Sequence, residues 1–561
     1  MGLIGTCFGS FCTVTMAAIS FTTRSTKTIG DTLIDAVNAV GDKDFIAFPE
    51  DRRTYRQVHE RAVAIAKSLI ALGVEPRDRV GVLLPNCIEY AELYFGIFYA
   101  GATIAPINAR FKARELDYVS RHSRIKVMIT SDLIDEHTNF TDLLDEAIPG
   151  LAGANAARPL QLAAHPQLQR CVLFGTKHHP AYIDCASFDR LAATVDTAAV
   201  ADRLAGTAVR TPAVLFYTSG TTAMPKACVL SHEAFMRQGV AVVERLKFRG
   251  DEKMWLPLPM FHSSATQTLF SMLTCRGTWL SMTHFEPGAA LRQVVKEQVT
   301  TMFPAFPTIT MQMLNHPDYT SESFRSLRTV FNVANPDMLR LMQERMPHSV
   351  QIGGFGMTET AGSISANSPD ESLDERCTHT GTPLPGIEVR IVDPETGATI
   401  PANQRGEIIV RGPFVFDGYD RPESGDTGLD DNGWFRTGDL GAMTEKGGLS
   451  FLGRLKDMLK VGGENVAAIE VESFLSTHPA VNIAQVVGVP DEKYVEVAAA
   501  FIELRPGASA TEAEIIAFCQ GQIARYKIPR YVRFVTEWPM SSTKIQKFKL
   551  RDTLCAELGL R

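Results

Sequence analysis

A chain of 561 residues exceeds one ordinary domain, so two or more are expected. Its 45% hydrophobic and 21% charged residues are ordinary for a globular protein and exclude a largely disordered chain. A net charge of −7 without long charge runs leaves no electrostatic footprint for nucleic acid. The ten cysteines form no Cys-x-x-Cys pair, so neither a zinc site nor a disulfide framework is indicated, and a reducing cytoplasm fits best. Residues 1–23 carry no charge. They lack the basic start of a secretory signal and are too interrupted by Thr, Ser and Gly for a membrane span. Gly2, with Cys7 nearby, formally fits the myristoylation pattern, and a translation start at Met16 is the competing reading.

In chain order, Thr54-Tyr55 opens a segment with apolar residues at Val58, Ala62, Ile65, Leu69 and Leu72. Steps of four and three mark one helical face, and Gly73 is its stop. An apolar strand over 80–84 ends at Pro85-Asn86, a second helical stretch runs through Tyr99, and Gly101 precedes the apolar run 102–107. This alternation predicts an α/β domain with parallel pairing. Residues 139–205 read as helices and surface loops, and no internal repeat is visible.

The apolar run 213–217 predicts a buried strand feeding Thr218, Ser219, Gly220, Thr221 and Thr222, followed by the fixed Pro225 and the cation Lys226. Converging hydroxyls and backbone N–H groups with one ammonium suit a phosphate chain, which carries several acceptor oxygens and two or more charges. A second apolar run at 227–230 makes this a loop between two strands, and the Walker spacing is absent. A polar hairpin turn is the plain alternative.

This segment resembles the phosphate loop of the acyl-adenylate-forming superfamily (acyl-CoA synthetases, luciferases and adenylation domains), with Ala223 and Ala227 where that family usually has Gly. Residues 73–86 resemble the start of the same superfamily. The resemblance implies that His262 lies beside an acyl pocket. Ser263, Ser264, Ala265 and Gln267 follow as small or neutral wall residues, with Phe303, Phe306 and Thr308 as further candidates. Residues 331–336 read Phe-Asn-Val-Ala-Asn-Pro where the family usually shows Gly-Gly-Ala-Pro.

Gly353 to Glu359 form the second motif. Phe355 can stack on adenine and Gly356 admits close approach, with Gly354 and Met357 in the same nucleotide-binding turn. Thr358 can donate to a phosphate oxygen, and the Glu359 carboxylate suits Mg²⁺. Asp439 can accept both ribose hydroxyls with its two oxygens. By the resemblance, Arg454 contacts the nucleotide and Lys456 is the hinge between domains. Residues 460–465 read as a flexible turn before a helix containing Glu470 and Glu472. Thr511 and Glu514 form a capping box opening a helix that runs to about Arg525. Lys544, preceded by Thr543 in the family's Gly place, matches the residue that bridges carboxylate and α-phosphate. Its choice over Lys547 and Lys549 rests on the resemblance alone.

The resemblance covers residues 30–555. It implies an α/β fold with a large N-terminal domain (30–455) that binds ATP and the acyl group. A small mobile C-terminal α+β domain (456–561) follows, hinged at Lys456, and residues 1–29 form an extension. The implied activity is that of an AMP-forming acyl-CoA ligase using ATP, Mg²⁺ and CoA. A fatty, cyclic or aromatic carboxylate first attacks the α-phosphorus of ATP, and the CoA thiol then takes the acyl group. Lys544, Thr222 and Glu359 are the expected catalytic residues. The expected partners are small molecules, without nucleic acid or a transmembrane segment, and a homodimer is the assembly considered. The rival readings are an adenylating enzyme with another acceptor such as a carrier protein, an oxidative luciferase, a nucleotide-binding pseudoenzyme, and a lipid-anchored interaction protein.

Overall fold

Two seven-stranded sheets, each parallel except for one edge strand, carry the large lobe of the computed structural model. The structure describes residues 27–218, 225–334, 336–422, 425–461, 464–491, 493–541 and 544–560. Gly2 and Cys7, singled out for acylation, lie outside these residues.

The predicted first helix is Tyr55–Ala71, with the Thr54 hydroxyl accepting from the Gln57 backbone as its N-cap. Val58, Ala62, Ile65 and Leu69 are fully buried, and Leu72 is the helix C-cap. Burying each larger side chain of such a face stabilises by roughly 1.5–3 kcal/mol. The helix packs on Ile88–Tyr99, which is buried almost along its whole length. A Cβ on Gly96 would come 2.4 Å from Ile65, so the close approach of these two helices requires glycine there.

The predicted strands are Arg79–Leu83 and Thr103–Pro106, paired in parallel as the strand–helix–strand pattern requires. Their sheet runs through Ile125–Ser131 and Arg170–Phe174 on one side and Pro212–Thr218 and Lys226–Ser231 on the other. The 139–205 stretch thus contains two strands, Arg170–Phe174 and Ile183–Asp184, that the reading as helices and loops did not contain. The run Cys171-Val172-Leu173-Phe174 is apolar without alternation because both faces of a parallel sheet are covered. The second large sheet orders Val350–Ile352, Thr329–Asn332, Thr301–Ala305, Lys253–Trp255, Thr278–Leu280, Asp44–Ala47 and Arg52–Thr54. A four-stranded antiparallel sheet (Glu388–Val392, Gly406–Arg411, Phe435–Met443, Leu449–Arg454) ends the lobe.

The small lobe is α+β. Its five-stranded sheet centres on the long hairpin Val481–Asp491 and Val495–Leu504. Helices Ala468–Leu475 and Glu512–Cys519 cover one face through Val471, Leu475, Ile515 and Cys519, and Lys547–Leu558 covers the other through Leu550 and Leu554. The Thr511 capping box forms as predicted, with the Glu514 N–H donating to the Thr511 hydroxyl. The helix it opens stops at Cys519, short of the expected Arg525. Gln520 turns extended and Gly521 takes φ +72°, a conformation glycine adopts without cost.

Candidate active site

The expected phosphate loop is framed by two antiparallel strands, Pro212–Thr218 and Lys226–Ser231, whose last pair is Thr218 with Lys226. Ser219, Gly220, Thr221, Thr222 and Ala223 lie outside the described residues. Thr218 and Lys226 both face a cleft of about 1320 Å³.

A segment that the sequence reading passed over locks the second strand in place. The Asp417 N–H donates to Val229 O at 2.8 Å, the Val229 N–H to Gly418 O at 3.1 Å, and the Asp420 N–H to Ala227 O at 2.8 Å. The Arg79 guanidinium then grips the Asp420 carboxylate at 2.6 and 3.0 Å, tying the segment to the central strand. Tyr419 is thereby carried into the cleft. Lys226 Nζ lies 4.9 Å from the centroid of its ring, and its hydroxyl donates to Glu359 Oε1 at 2.8 Å. Burial and the adjacent Glu359 carboxylate push the Tyr419 phenol well above its ordinary range, so it is a donor throughout physiological pH.

Glu359 is buried in the short helix Thr358–Thr360 that follows strand Gly354–Met357, and Thr358 lines the cleft beside it. The ring of Phe355 stacks on Phe451 at 5.2 Å and 18°, a partner the sequence did not reveal. Gly356 owes its identity to its neighbours: a Cβ there would lie 2.3 Å from Gly362 O on the paired strand. Its missing side chain makes room for the backbone of that strand. Gly354 and Met357 also line the cleft.

Asp439 and Arg454 meet each other. Asp439 is 1% exposed, and Arg454 Nε sits 2.9 Å from its Oδ1. A carboxylate that deeply buried requires a cation, so Arg454 lines the cleft with Asp439 behind it. Lys456 follows at once in the short helix Leu455–Asp457 and faces the same cleft.

Lys544 stands on a two-residue hairpin pairing Met540–Ser541 with Lys544–Ile545, while Thr543 lies outside the described residues. The next residues, Ile545, Gln546 and Lys547, line the cleft opposite the large lobe. Lys547 is tied down: its Nζ is 2.5 Å from Glu472 Oε1 and 3.9 Å from Asp457 Oδ2.

His262, also in the cleft lining, holds the N-cap position of helix Ser263–Cys275 without a side-chain cap hydrogen bond, and its ring packs on Phe261 at 4.7 Å. Gln267 reaches Ser363, accepting its N–H at 2.8 Å and donating to its hydroxyl at 2.9 Å. Phe303 and Phe331 stack face to face at 4.3 Å. Ala305 takes φ +57° where its strand shifts register against Thr329–Asn332, and Phe306 beyond it is 39% exposed in the cleft. Asn332 turns the other way: fully buried, it accepts from Thr310 Oγ1 at 2.9 Å and donates to Gln351 at 3.2 Å. Val333 is the residue that departs into the cleft, 53% exposed, with its N–H on Ala305 O at 2.8 Å. Asn335 lies outside the described residues.

Among the described residues, Thr218, Lys226, the turn Gly354–Glu359, Arg454 and Lys456, far apart in the chain, therefore line one cleft between the lobes, with His262 and Phe306 in the same lining; Asp439 and Lys544 are not part of that lining. The profile of the "AMP-binding enzyme" family matches residues 34–420, and that of the "AMP-binding enzyme C-terminal domain" matches residues 470–544. The chain belongs to the AMP-binding enzyme family. It is an AMP-forming acyl-CoA ligase that uses ATP and CoA. The ligase is 34% identical over 538 residues to "Putative acyl-CoA synthetase YngI" of Bacillus subtilis (strain 168), covering 94% of this chain and 97% of that one. It is 30% identical to the mitochondrial medium-chain acyl-CoA ligase ACSF2 of Rattus norvegicus, over 95% of this chain and 88% of the relative. Among solved structures, the anthranilate CoA ligase AuaEII in complex with anthranoyl-AMP superposes with a TM-score of 0.81 at 26% identity, covering 95% of this chain and 98% of that one. Among the described residues of the ligase, no helix is long and apolar enough to cross a membrane.

Proposed function

We propose that the ligase activates a monocarboxylate whose acyl group is uncharged and apolar, fatty, cyclic or aromatic, in the part of the cleft walled by Leu258, His262, Phe303, Phe306, Phe331 and Val333. One observation carries the reading: this apolar and neutral wall opens into the same cleft as Thr218, Lys226, Thr358 and Arg454. The rat relative named for medium-chain acids and the neighbour holding an anthranoyl group support the same acyl range.

Within that reading, Lys226 and Thr218 flank the loop that cradles the outer phosphates. Thr358 donates to a phosphate oxygen, and Phe355 offers its free face to adenine. Lys544 bridges the attacking carboxylate and the α-phosphate, where negative charge grows in the transition state. Arg454 reaches the nucleotide while held by Asp439. Lys456 is the pivot about which the small lobe turns after adenylation, withdrawing Lys544 so that the CoA thiol can attack the activated carbonyl.

Mg²⁺ fits beside Glu359 as a phosphate-bound ion. Among the described residues no group of three or more His, Cys, Asp or Glu side chains could hold a metal by itself. Mg²⁺ ordinarily takes one or two carboxylates together with substrate phosphates and waters. When bound, it supplies charge neutralisation on the phosphate oxygens. The eight cysteines among the described residues are all free, which supports a reducing, cytoplasmic setting.

The test is pyrophosphate release across a panel of carboxylates, with and without CoA. Fatty or aromatic monocarboxylates should lead, and preference for amino acids or dicarboxylates would overturn the acyl assignment. Lys544→Ala should cut adenylation by a hundredfold or more while synthetic acyl-adenylate still yields thioester. If both half-reactions survive intact, Lys544 is not the bridging cation.

A further inference from the structure

Tyr419 touches the cation on one side of the phosphate site and the carboxylate on the other. Its ring lies 4.9 Å from Lys226 Nζ and its hydroxyl 2.8 Å from Glu359 Oε1. Its backbone belongs to the segment that pairs with Ala227 and Val229, so ring and phosphate strand move as one piece. Phe416 and Phe435 stand edge-on against the ring side at 4.9 and 6.5 Å, which fixes its plane. The Phe416 N–H donates to Glu359 O at 2.8 Å, so the carboxylate's own backbone is pinned to the same segment.

We propose that Tyr419 is a positioning residue for adenylation: a strut that holds the Lys226 ammonium and the Glu359 carboxylate at a fixed separation, both turned toward the phosphates. An ammonium and a carboxylate facing one low-dielectric cleft attract strongly, and a direct pair would spend on each other the charges that ATP needs. Tyr419 gives each a separate partner. The π face attracts the ammonium without neutralising it, and the hydroxyl donates to one carboxylate oxygen without taking away its charge. The phenol's raised pKa keeps it in the donating form this arrangement requires. The proposal rests on the phosphate-site reading of Lys226 and Glu359 given above.

The two contacts separate by substitution. Tyr419→Phe keeps the ring under Lys226 and removes the hydroxyl, and Tyr419→Leu removes both. In full-length enzyme, Tyr419→Phe should lower kcat for pyrophosphate formation about tenfold with KM for ATP within twofold, since the ammonium keeps its seat. Tyr419→Leu should lower kcat similarly and raise KM for ATP about tenfold. Both variants should convert synthetic acyl-adenylate and CoA to thioester within twofold of the wild-type rate. A purely structural role would instead slow both half-reactions together and leave the KM values of the two variants alike, and that result overturns the proposal. So does a Tyr419→Phe variant whose adenylation rate is unchanged. Lys226→Ala and Glu359→Gln serve as controls. If these also adenylate at the wild-type rate, the phosphate-site reading falls and takes the strut with it. If they are slow while Tyr419→Phe is not, the strut alone is refuted.

Discussion

Replacing Lys547 with Met tests how the Lys544 hairpin is held. Lys547 opens helix Lys547–Leu558, three residues beyond Lys544, and its ammonium sits 2.5 Å from Glu472 Oε1 with both side chains mostly buried, at 20% and 12% exposure. Hydrogen bonds to charged groups contribute about 1.5–3 kcal/mol, and the residual exposure pulls this one toward the lower end. Glu472 Oε1 also accepts the Val486 N–H at 2.7 Å, so removal of Lys547 does not strip the carboxylate bare. A loss of about 1.4 kcal/mol in the seating of the hairpin corresponds to a tenfold fall in rate. Methionine keeps the length and the apolar stem of lysine, so the loss reports the charge rather than a cavity. The assay is carboxylate-dependent exchange of pyrophosphate into ATP, run beside thioester formation from synthetic acyl-adenylate. Lys547→Met should slow the first about tenfold and leave the second nearly unchanged, whereas Lys544→Ala should slow the first far more. If Lys547→Met instead abolishes exchange and Lys544→Ala spares it, the two lysines exchange roles and the tether argument is wrong.

Two further outcomes follow from single buried or exposed side chains. His232 is fully buried against the edge of Phe98, and burial holds its pKa down to about 3 from the usual 6.5. A depressed folded-state pKa means that the folded protein binds fewer protons, so the stability from neutral His232 is complete above pH 6.5 and drains away as pH falls toward 3. Between pH 8 and pH 5 this amounts to about 2 kcal/mol at 1.36 kcal/mol per unit. His232→Phe should flatten that part of the pH dependence in urea unfolding, and an unchanged slope would show that other groups carry it. Val333→Ala removes two methyl groups that project into the cleft and should shift relative kcat/KM toward bulkier acids by about tenfold. An unaltered substrate ranking would place Val333 outside the acyl end.

What could be read from the sequence was whatever is local. Helical spacing located Tyr55–Ala71 and its buried face, and the apolar runs at 213–217 and 227–230 gave the two strands around the phosphate loop. Arg170–Phe174 was missed because a strand buried on both faces has no alternation to betray it. Tyr419 was missed for a different reason. Its placement comes from pairing with residues 227–229, far away in the chain, and a single Gly-Tyr dipeptide carries no trace of that partnership. Asp439 and Arg454 each carried a chemical signal, but their mutual ion pair depends on adjacent antiparallel strands brought into register. Gly356 reads in the sequence as room for a ligand, and in the fold its crowding comes from the neighbouring strand. Sequence motifs named the groups that the site uses, while the sheet edges decided which of them meet.

The same distinction bears on how the small lobe would work. Lys547, Glu472 and Asp457 all lie on the C-terminal side of Lys456, so their contacts bind the hairpin to its own lobe and to no part of the large one. If the small lobe pivots about Lys456 as proposed, these bonds stay unbroken and Lys544 is carried along with the lobe. Withdrawal of Lys544 by loosening the hairpin would instead have to break the Lys547–Glu472 pair in every turnover. The first route costs the contacts made between the lobes, among them helix Ala468–Leu475 against strand Leu449–Arg454 and long side chains in the cleft such as Arg454, Lys456 and Phe548. The tether therefore favours the lobe turning as one body, and it makes the seating of Lys544 a property of the lobe's core rather than of the short hairpin that bears it.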